Sequence, residues 1–324
     1  MNRRFFNLSA VAGAMALSTL ARAQSFPAKP VKLIVPFAAG SSPDAANRML
    51  ANELTQTLGQ PVIVDNRPGA NGITGTIAGL SSAPDGYTLI SINVGTLAIN
   101  PFLFPRQKYD PLVDLVPIAL TGSLPNVLVT RPDLPVKNVA ELVAYAKAHP
   151  GKLSMGSSGQ GTTGHLSGEL FKEMTGTFAV HVPFRGSGAA YTDLIAGRID
   201  FMFDNIISVS PHINAGRVKL LAVTSAQRSE LFPNVPTLQE SGLKGYETIS
   251  WGGVAVPRGT PASAVQILKA AVDKASNTAQ TLAFNKLNGL KATPAMSDEE
   301  FVRFVKTEQL KWSALVRRSG AANI

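Results

Sequence analysis

No cysteine occurs anywhere in the 324-residue chain. That absence excludes disulfides, thiolate metal sites, a cysteine nucleophile and a lipid-modified cysteine at an amino-terminal cleavage site. Histidine is scarce as well. The four are His149, His165, His181 and His212; no two lie within one helical turn and none belongs to an H-E-x-x-H pattern, so no metal site and no cofactor is expected. No phosphate loop ending in glycine, lysine and a hydroxyl residue is present. Nor is there a lysine and arginine run interleaved with aromatics, so the excess of 30 basic over 21 acidic residues reads as dispersed charge that favours acidic ligands, with no nucleic acid as partner.

What is there begins with an export signature. Arg3 and Arg4 form a basic head, Leu8 to Leu20 is apolar or small, and Ala21-Arg22-Ala23 is an A-x-A cleavage site, so residues 1–23 read as a signal peptide cut after Ala23. The apolar part is too short to span a bilayer and no later stretch has about twenty apolar residues without charge. The expectation is a free, monomeric protein of the periplasm. Arg3-Arg4-Phe5-Phe6 resembles the start of a twin-arginine signal, with Asn7 where that pattern prefers leucine; both that route and the Sec route stay open.

The remaining length suits two domains. Lys32 to Leu54 reads as strand, loop and helix: Leu33 to Val35 is a short buried-type run, Gly40 a turn, Ser42 a helix cap and Pro43 the first helical position. Ala46, Leu50, Leu54 and Leu58 recur four apart, which gives the helix one apolar face. Its first turn then sits at the carboxyl end of the strand with N–H groups free for a carboxylate or phosphate. Strands and helices alternate from there on, with a strand at Pro61 to Asp65, another at Tyr87 to Ile92, and a turn at Pro84-Asp85-Gly86 between them. This order predicts an α/β fold with mostly parallel sheets flanked by helices. The run from Val116 is expected to end near Gly122-Ser123, with a new series from Val127. The carboxyl-terminal helices return to the first unit, so domain 1 is expected over 24–122 plus 252–324 and an inserted domain 2 over 123–251, with a cleft between. Ser297 and Glu300 form a capping box for the last helix, whose core face is Phe301, Phe304, Val305, Trp312 and Leu315.

Leu153 to His165 repeats the opening design: a strand, a Gly/Ser loop, and a helix capped by Thr162 or Thr163, with Leu166, Leu170, Phe171 and Met174 as its buried face. Two such helix starts facing each other would bracket one carboxylate, and binding would draw the domains together. The same loop contains Gly159-Gln160-Gly161-Thr162-Thr163-Gly164, a literal G-x-G-x-x-G. A dinucleotide would need an acid where the following strand ends; Phe184-Arg185 stands there instead. Ser157 or Ser158 with His165 suggests a hydrolase as the second reading, although Gly156-Ser157-Ser158-Gly159-Gln160 lacks the last glycine of a nucleophile elbow and has no evident orienting carboxylate. His181, alternating within an apolar strand, reads as structural.

Several linked motifs carry a family resemblance. Val35-Pro36-Phe37 with Gly40 and Pro43-Asp44, Asn66-Arg67-Pro68-Gly69-Ala70, Pro84-Asp85-Gly86-Tyr87-Thr88, Val182-Pro183-Phe184-Arg185-Gly186, Met202-Phe203-Asp204 and Val235-Pro236-Thr237 with Glu240 and Gly242 occur in order through nearly the whole mature chain. Together they resemble the Bug family, the periplasmic solute receptors of tripartite tricarboxylate transporters. The resemblance implies a two-domain type II periplasmic binding fold with a double crossover hinge. It implies a receptor, not an enzyme, that captures a small di- or tricarboxylate, acidic amino acid or aromatic acid and delivers it to the membrane permease subunits. Carried over, Phe37, Ala39, Gly40, Ser41, Ser42 and Asp44 belong to the first ligand loop, and Ser157, Ser158, Gly159, Thr163 and His165 to the second. Many relatives have glycine at position 41, where this chain has serine. Asp204 and Asn205 are expected to orient a polar group, with a helix cap as the alternative, and Arg185 to pair with a second carboxylate, with a solvated surface arginine as the alternative.

Overall fold

The computed structural model describes residues 26–319 and 321; the expected signal peptide and its cut after Ala23 lie outside them. Strand β1 (Val31–Val35) is buried except at Lys32 and pairs in parallel with β2 (Val62–Asn66) and β3 (Thr88–Asn93). Helix α1 (Ser42–Leu58) lies between β1 and β2 in sequence and lays Leu50 and Leu54 against Leu33, Leu268 and Val272. Gly59, left-handed at φ 66°, closes it with its N–H on Thr55 O. Only glycine adopts that cap without a Cβ penalty. The start differs from expectation by one residue. Ser41, not Ser42, is the cap, because its extended backbone lets Oγ accept from Asp44 N (3.4 Å) while donating to Ala38 O (2.6 Å).

Helix α2 (Ile73–Leu80) precedes β3, and a short helix α3 (Asn100–Leu103) follows a π-turn at Gly95–Ile99. The chain then enters β4 (Leu115–Thr130), one strand of 16 residues where a break was expected. Pro117 and Pro125 cannot donate to a ladder. Register shifts between Pro117 and Ala119 and between Leu120 and Gly122 absorb the irregularity. From Leu115 to Pro125 the strand pairs antiparallel with β9 (Ile249–Pro257); from Asn126 to Thr130 it lies between β7 (Phe201–Asn205) and β8 (Lys219–Val223). It thus passes from one sheet into the other. At the passage Ser123 exchanges backbone bonds with Lys291 (2.8 and 2.9 Å), and any side chain at Gly122 would crowd that carbonyl.

The second sheet repeats the first. Helix α4 (Val139–Ala148) leads to β5 (Ser154–Ser157), which pairs in parallel with β6 (Val180–Pro183) and β7; helices α5 (Thr163–Thr175), α6 (Ser187–Ile195) and α7 (Ile206–Asn214) connect or follow these strands. The full order is β2-β1-β3-β9-β4-β7-β5-β6, with β8 on the other side of β4. Each sheet has apolar clusters on its faces. Met174 departs from the expected buried face of α5 and is 39% exposed.

Helices α8 (Ala262–Ser276), α9 (Ala279–Asn288) and α10 (Asp298–Ser319) finish the chain. The capping box before α10 is formed, with Ser297 N on Glu300 Oε2 (2.8 Å) and Glu300 N on Ser297 Oγ (3.2 Å). Trp312 packs with Leu97, Trp251 and Leu166, so α10 touches both the π-turn of the first sheet and helix α5 of the second. The chain's two tryptophans share one acceptor: Trp251 Nε1 and Trp312 Nε1 donate to Glu308 Oε2 at 2.7 and 3.0 Å. Removing that carboxylate leaves two buried indole donors unpaired, at about 1–3 kcal/mol each. Glu308→Ala is therefore expected to lower unfolding stability by about 2–4 kcal/mol and to shift tryptophan emission. Urea denaturation checks this, and a change below about 0.5 kcal/mol would show the shared bond to be unimportant.

Candidate functional site

The carboxyl ends of β1, β2, β3, β5 and β7 converge on a cavity of about 680 Å³. It lies where the two sheets face each other, lined from the first by Phe37, Ser41, Ser42, Asn71 and Asn93, and from the second by Ser158, Gly159, Thr163, Arg185, Asp204 and Asn205. Ser42 and Thr163 are the first residues of α1 and α5. A first helical residue has no acceptor within its own helix, so both N–H groups remain open donors, at the positive end of each helix dipole. Ser42 Oγ and Ser158 Oγ have no partner among the described residues. Ser208 Oγ, on the cavity wall, is likewise buried and unpartnered.

Five residues expected at the ligand stand elsewhere. Ala39 and Gly40 are on the exposed outer side of the first loop. Asp44 is 3% exposed, and its carboxylate is spent on the loop itself: it accepts from Gly40 N (2.9 Å), Arg48 Nε (3.0 Å) and Asn66 Nδ2 (2.8 Å). Burial alone would raise its pKa, but those three donors outweigh it and hold the group below the usual carboxylate value. Ser157 is fully buried, with Oγ 2.7 Å from His181 Nε2 and bonded to Gly159 O and N. His165 is buried beneath the second loop, stacked on His181 at 3.8 Å, where its Nδ1 accepts from Gly161 N (3.1 Å). These residues shape the loops from behind. Ser41, although on the wall, uses its hydroxyl for Ala38 O and the helix cap.

The glycine pattern at 159–164 has its own local reasons. Gly161 (φ 73°) presses on Leu103, and a Cβ at Gly164 would overlap the Phe203 carbonyl of β7. Nothing there requires a pyrophosphate. Thr162 is the cap of α5, accepting from His165 N (3.3 Å). Sequence reasoning missed Asn71, Asn93, Phe104, Phe184, Ser187 and Ser208 on the wall. The turn-rich loop at 66–72 was visible at the end of a parallel strand, which is a place ligands favour; Ser208, on the inner side of α7, left no signal. Also unforeseen is Asn126, fully buried in β4, whose side chain holds Ser167 (3.0 Å), Asn205 (2.6 Å) and Thr163 (3.4 Å) in place.

Two titratable groups, the buried Asp204 on the wall and the half-buried His181 behind it, pull in opposite directions. Burial pushes Asp204 up to about 6, against hydrogen bonds from Ser187, Asn205 N and Tyr191 that lower it. Burial, with the neighbouring His165, pushes His181 down to about 3. A raised acid makes the folded state bind protons more tightly, so Asp204 removes stability as pH climbs from about 4 to about 6; a lowered base makes His181 add stability as pH climbs from about 3 to about 6.5. The two slopes offset each other in the wild type. Asp204→Asn is expected to steepen the gain in stability between pH 4 and 6.5, and His181→Asn to turn it into a loss of about 1–3 kcal/mol. Unfolding free energies at pH 4, 5, 6 and 7 read this directly, and parallel curves for both variants would refute the assignment.

Two lobes built on twin α/β sheets, joined by crossing strands and enclosing a donor-lined cavity, define a solute-binding protein of the type II periplasmic binding class. Solved structures agree: R. palustris Rpa4515 with adipate superposes with a TM-score of 0.87 at 35% identity, covering 91% of this chain and 98% of that one. MatC of Rhodopseudomonas palustris with bound malate gives 0.84 at 32%, covering 90% and 100%. Residues 46–321 match the model of the Tripartite tricarboxylate transporter family receptor, and BugT of Bordetella pertussis is 38% identical over 301 residues, covering 92% of both chains. The chain belongs to this family of solute-binding receptors, the Bug family that its motifs resemble.

Proposed function

We propose that the protein is a periplasmic receptor that closes on a small carboxylate in the cavity and hands it to the permease subunits of a tripartite tricarboxylate transporter. The observation that carries this reading is the pair of helix starts, at Ser42 and Thr163, on opposing walls of one cavity. Neutral N–H and hydroxyl donors from two lobes suit a carboxylate head group and need no lysine. Adipate and malate on the solved relatives support a small acid as the ligand class. In this reading residues 24–122 plus 252–324 form one lobe and 123–251 the other, with β4 and β9 as the crossing strands; their pairing across Gly122–Gly252 and Ser123–Trp251 supports that boundary. Arg185 on the wall, with no ion-pair partner among the described residues, would take a second acid group of the ligand.

The hydrolase alternative has little to support it. Ser157 meets His181 and not His165, it is closed off from the cavity, and the acid Glu169 sits beside His165 (3.5 Å) and Lys172 (2.7 Å). A nucleophile needs access and an oriented base.

The test is a panel of adipate, malate, citrate, aspartate and benzoate, with melting temperature and titration calorimetry on wild type, Ser42→Ala and Ser158→Ala. At least one acid is expected to raise the melting temperature and to be recovered unchanged, and each serine variant to bind it about tenfold more weakly, as lost hydrogen bonds to a charged group imply. Full affinity in both variants would remove the two hydroxyls from the ligand site.

A further inference from the structure

One residue of the second loop, Gly161, is held from both sides. Gly161 N donates to His165 Nδ1 (3.1 Å), within its own lobe. Gly161 O accepts from Asn71 Nδ2 (2.9 Å), which belongs to the loop after β2 in the other lobe. The bond to the ring fixes the His165 proton on Nε2, facing Glu169, so the imidazole is a preset acceptor under the loop. Asn71 is equally preset. Its Nδ2 also donates to Asn100 Oδ1 (2.9 Å), and Asn100 Nδ2 returns a bond to Asn71 O (3.0 Å), with Asn100 fully buried. Asn71 sits in the left-handed region (φ 49°, ψ 38°), which asparagine and glycine tolerate far better than other residues. Leu103 packs onto the bare Cα of Gly161. Beside it Gln160 Nε2 reaches Ala321 O (3.1 Å) at the end of the chain.

None of these contacts involves a ligand, yet three of them join the two lobes: Asn71 to Gly161, Leu103 to Gly161 and Gln160 to Ala321. We infer that Asn71 is a positioning residue that latches the second ligand loop to the opposite lobe through the Gly161 carbonyl, favouring the closed arrangement before a ligand enters. The second ligand loop and the loop after β2 are then preorganised by a carboxamide pair, Asn71 with Asn100, and each ligand meets walls already partly drawn together. This goes beyond the receptor reading, since the latch acts in the empty protein.

The chain has no cysteine, so introduced thiols label cleanly. Nitroxides at Gln56→Cys on α1 and Thr192→Cys on α6, both exposed, report the interlobe distance in ligand-free protein by pulsed electron resonance. Asn71→Gly keeps the left-handed backbone and deletes the amide; Asn71→Asp keeps the shape and sets a carboxylate against the oxygens of Asn100 and Gly161. Relative to wild type, the closed-to-open ratio is expected to fall about fivefold in Asn71→Gly, the worth of one neutral hydrogen bond, and further in Asn71→Asp. Circular dichroism and melting temperature certify that the variants are folded. Folded variants with the wild-type distance distribution would overturn the latch, as would a wild-type protein that is fully open without ligand. Because no ligand is added, that failure is distinct from a failure of the carboxylate panel.

Discussion

Everything in this molecule turns on a helix that starts at the carboxyl end of a buried parallel strand. Such a helix cannot satisfy its own first N–H groups, and the strand beneath fixes where they point. In one lobe β1, Leu50 and Leu54 hold α1 in that position; in the other Phe171, packed with Met155 of β5 and with Phe201 and Phe203 of β7, does the same for α5. The result is unspent donor capacity on facing walls. Most of the buried polar residues nearby serve to aim it. Asp44 ties Gly40, Arg48 and Asn66 into one first loop, Asn126 steadies Thr163 and Asn205, and the stacked His165 and His181 support the second loop from beneath.

That division between residues on the cavity wall and residues behind them explains what the sequence could reveal. Strand-loop-helix units were legible because apolar spacing, caps and glycine turns are local signals, and the motif resemblance pointed to the two loops that line the cavity. Which side chain of a loop faces the cavity depends on tertiary hydrogen bonds, which spacing does not encode. Asp44 and His165 were thus read as ligand contacts when their polar atoms are consumed within the loops. The pairing of Ser157 with His181 follows from the parallel register of β5 on β6, Met155 opposite His181 and Ser157 opposite Pro183, and no linear pattern announces it.

The long strand β4 illustrates the complementary error. The run from Val116 was expected to end near Gly122-Ser123 with a new series from Val127, and Pro125 between them is a residue that local propensity disfavours inside a strand. Tertiary pairing overrides it, because β9 and Lys291 supply partners along the whole crossing. Continuity matters physically: a strand shared by both sheets transmits any lobe movement through a short segment and leaves the cavity walls rigid on either side. Asn126, at the point where β4 enters the second sheet, places a buried polar hub next to that crossing.

The central claim, that one acid head group is gripped by both helix starts at once, is tested most directly by backbone amide NMR. The first carboxylate found to stabilise the protein would be titrated into labelled sample while the Ser42 and Thr163 N–H resonances are followed. The account predicts that both move downfield together along one binding curve. Movement of only one, or of neither while the protein is saturated, would contradict it.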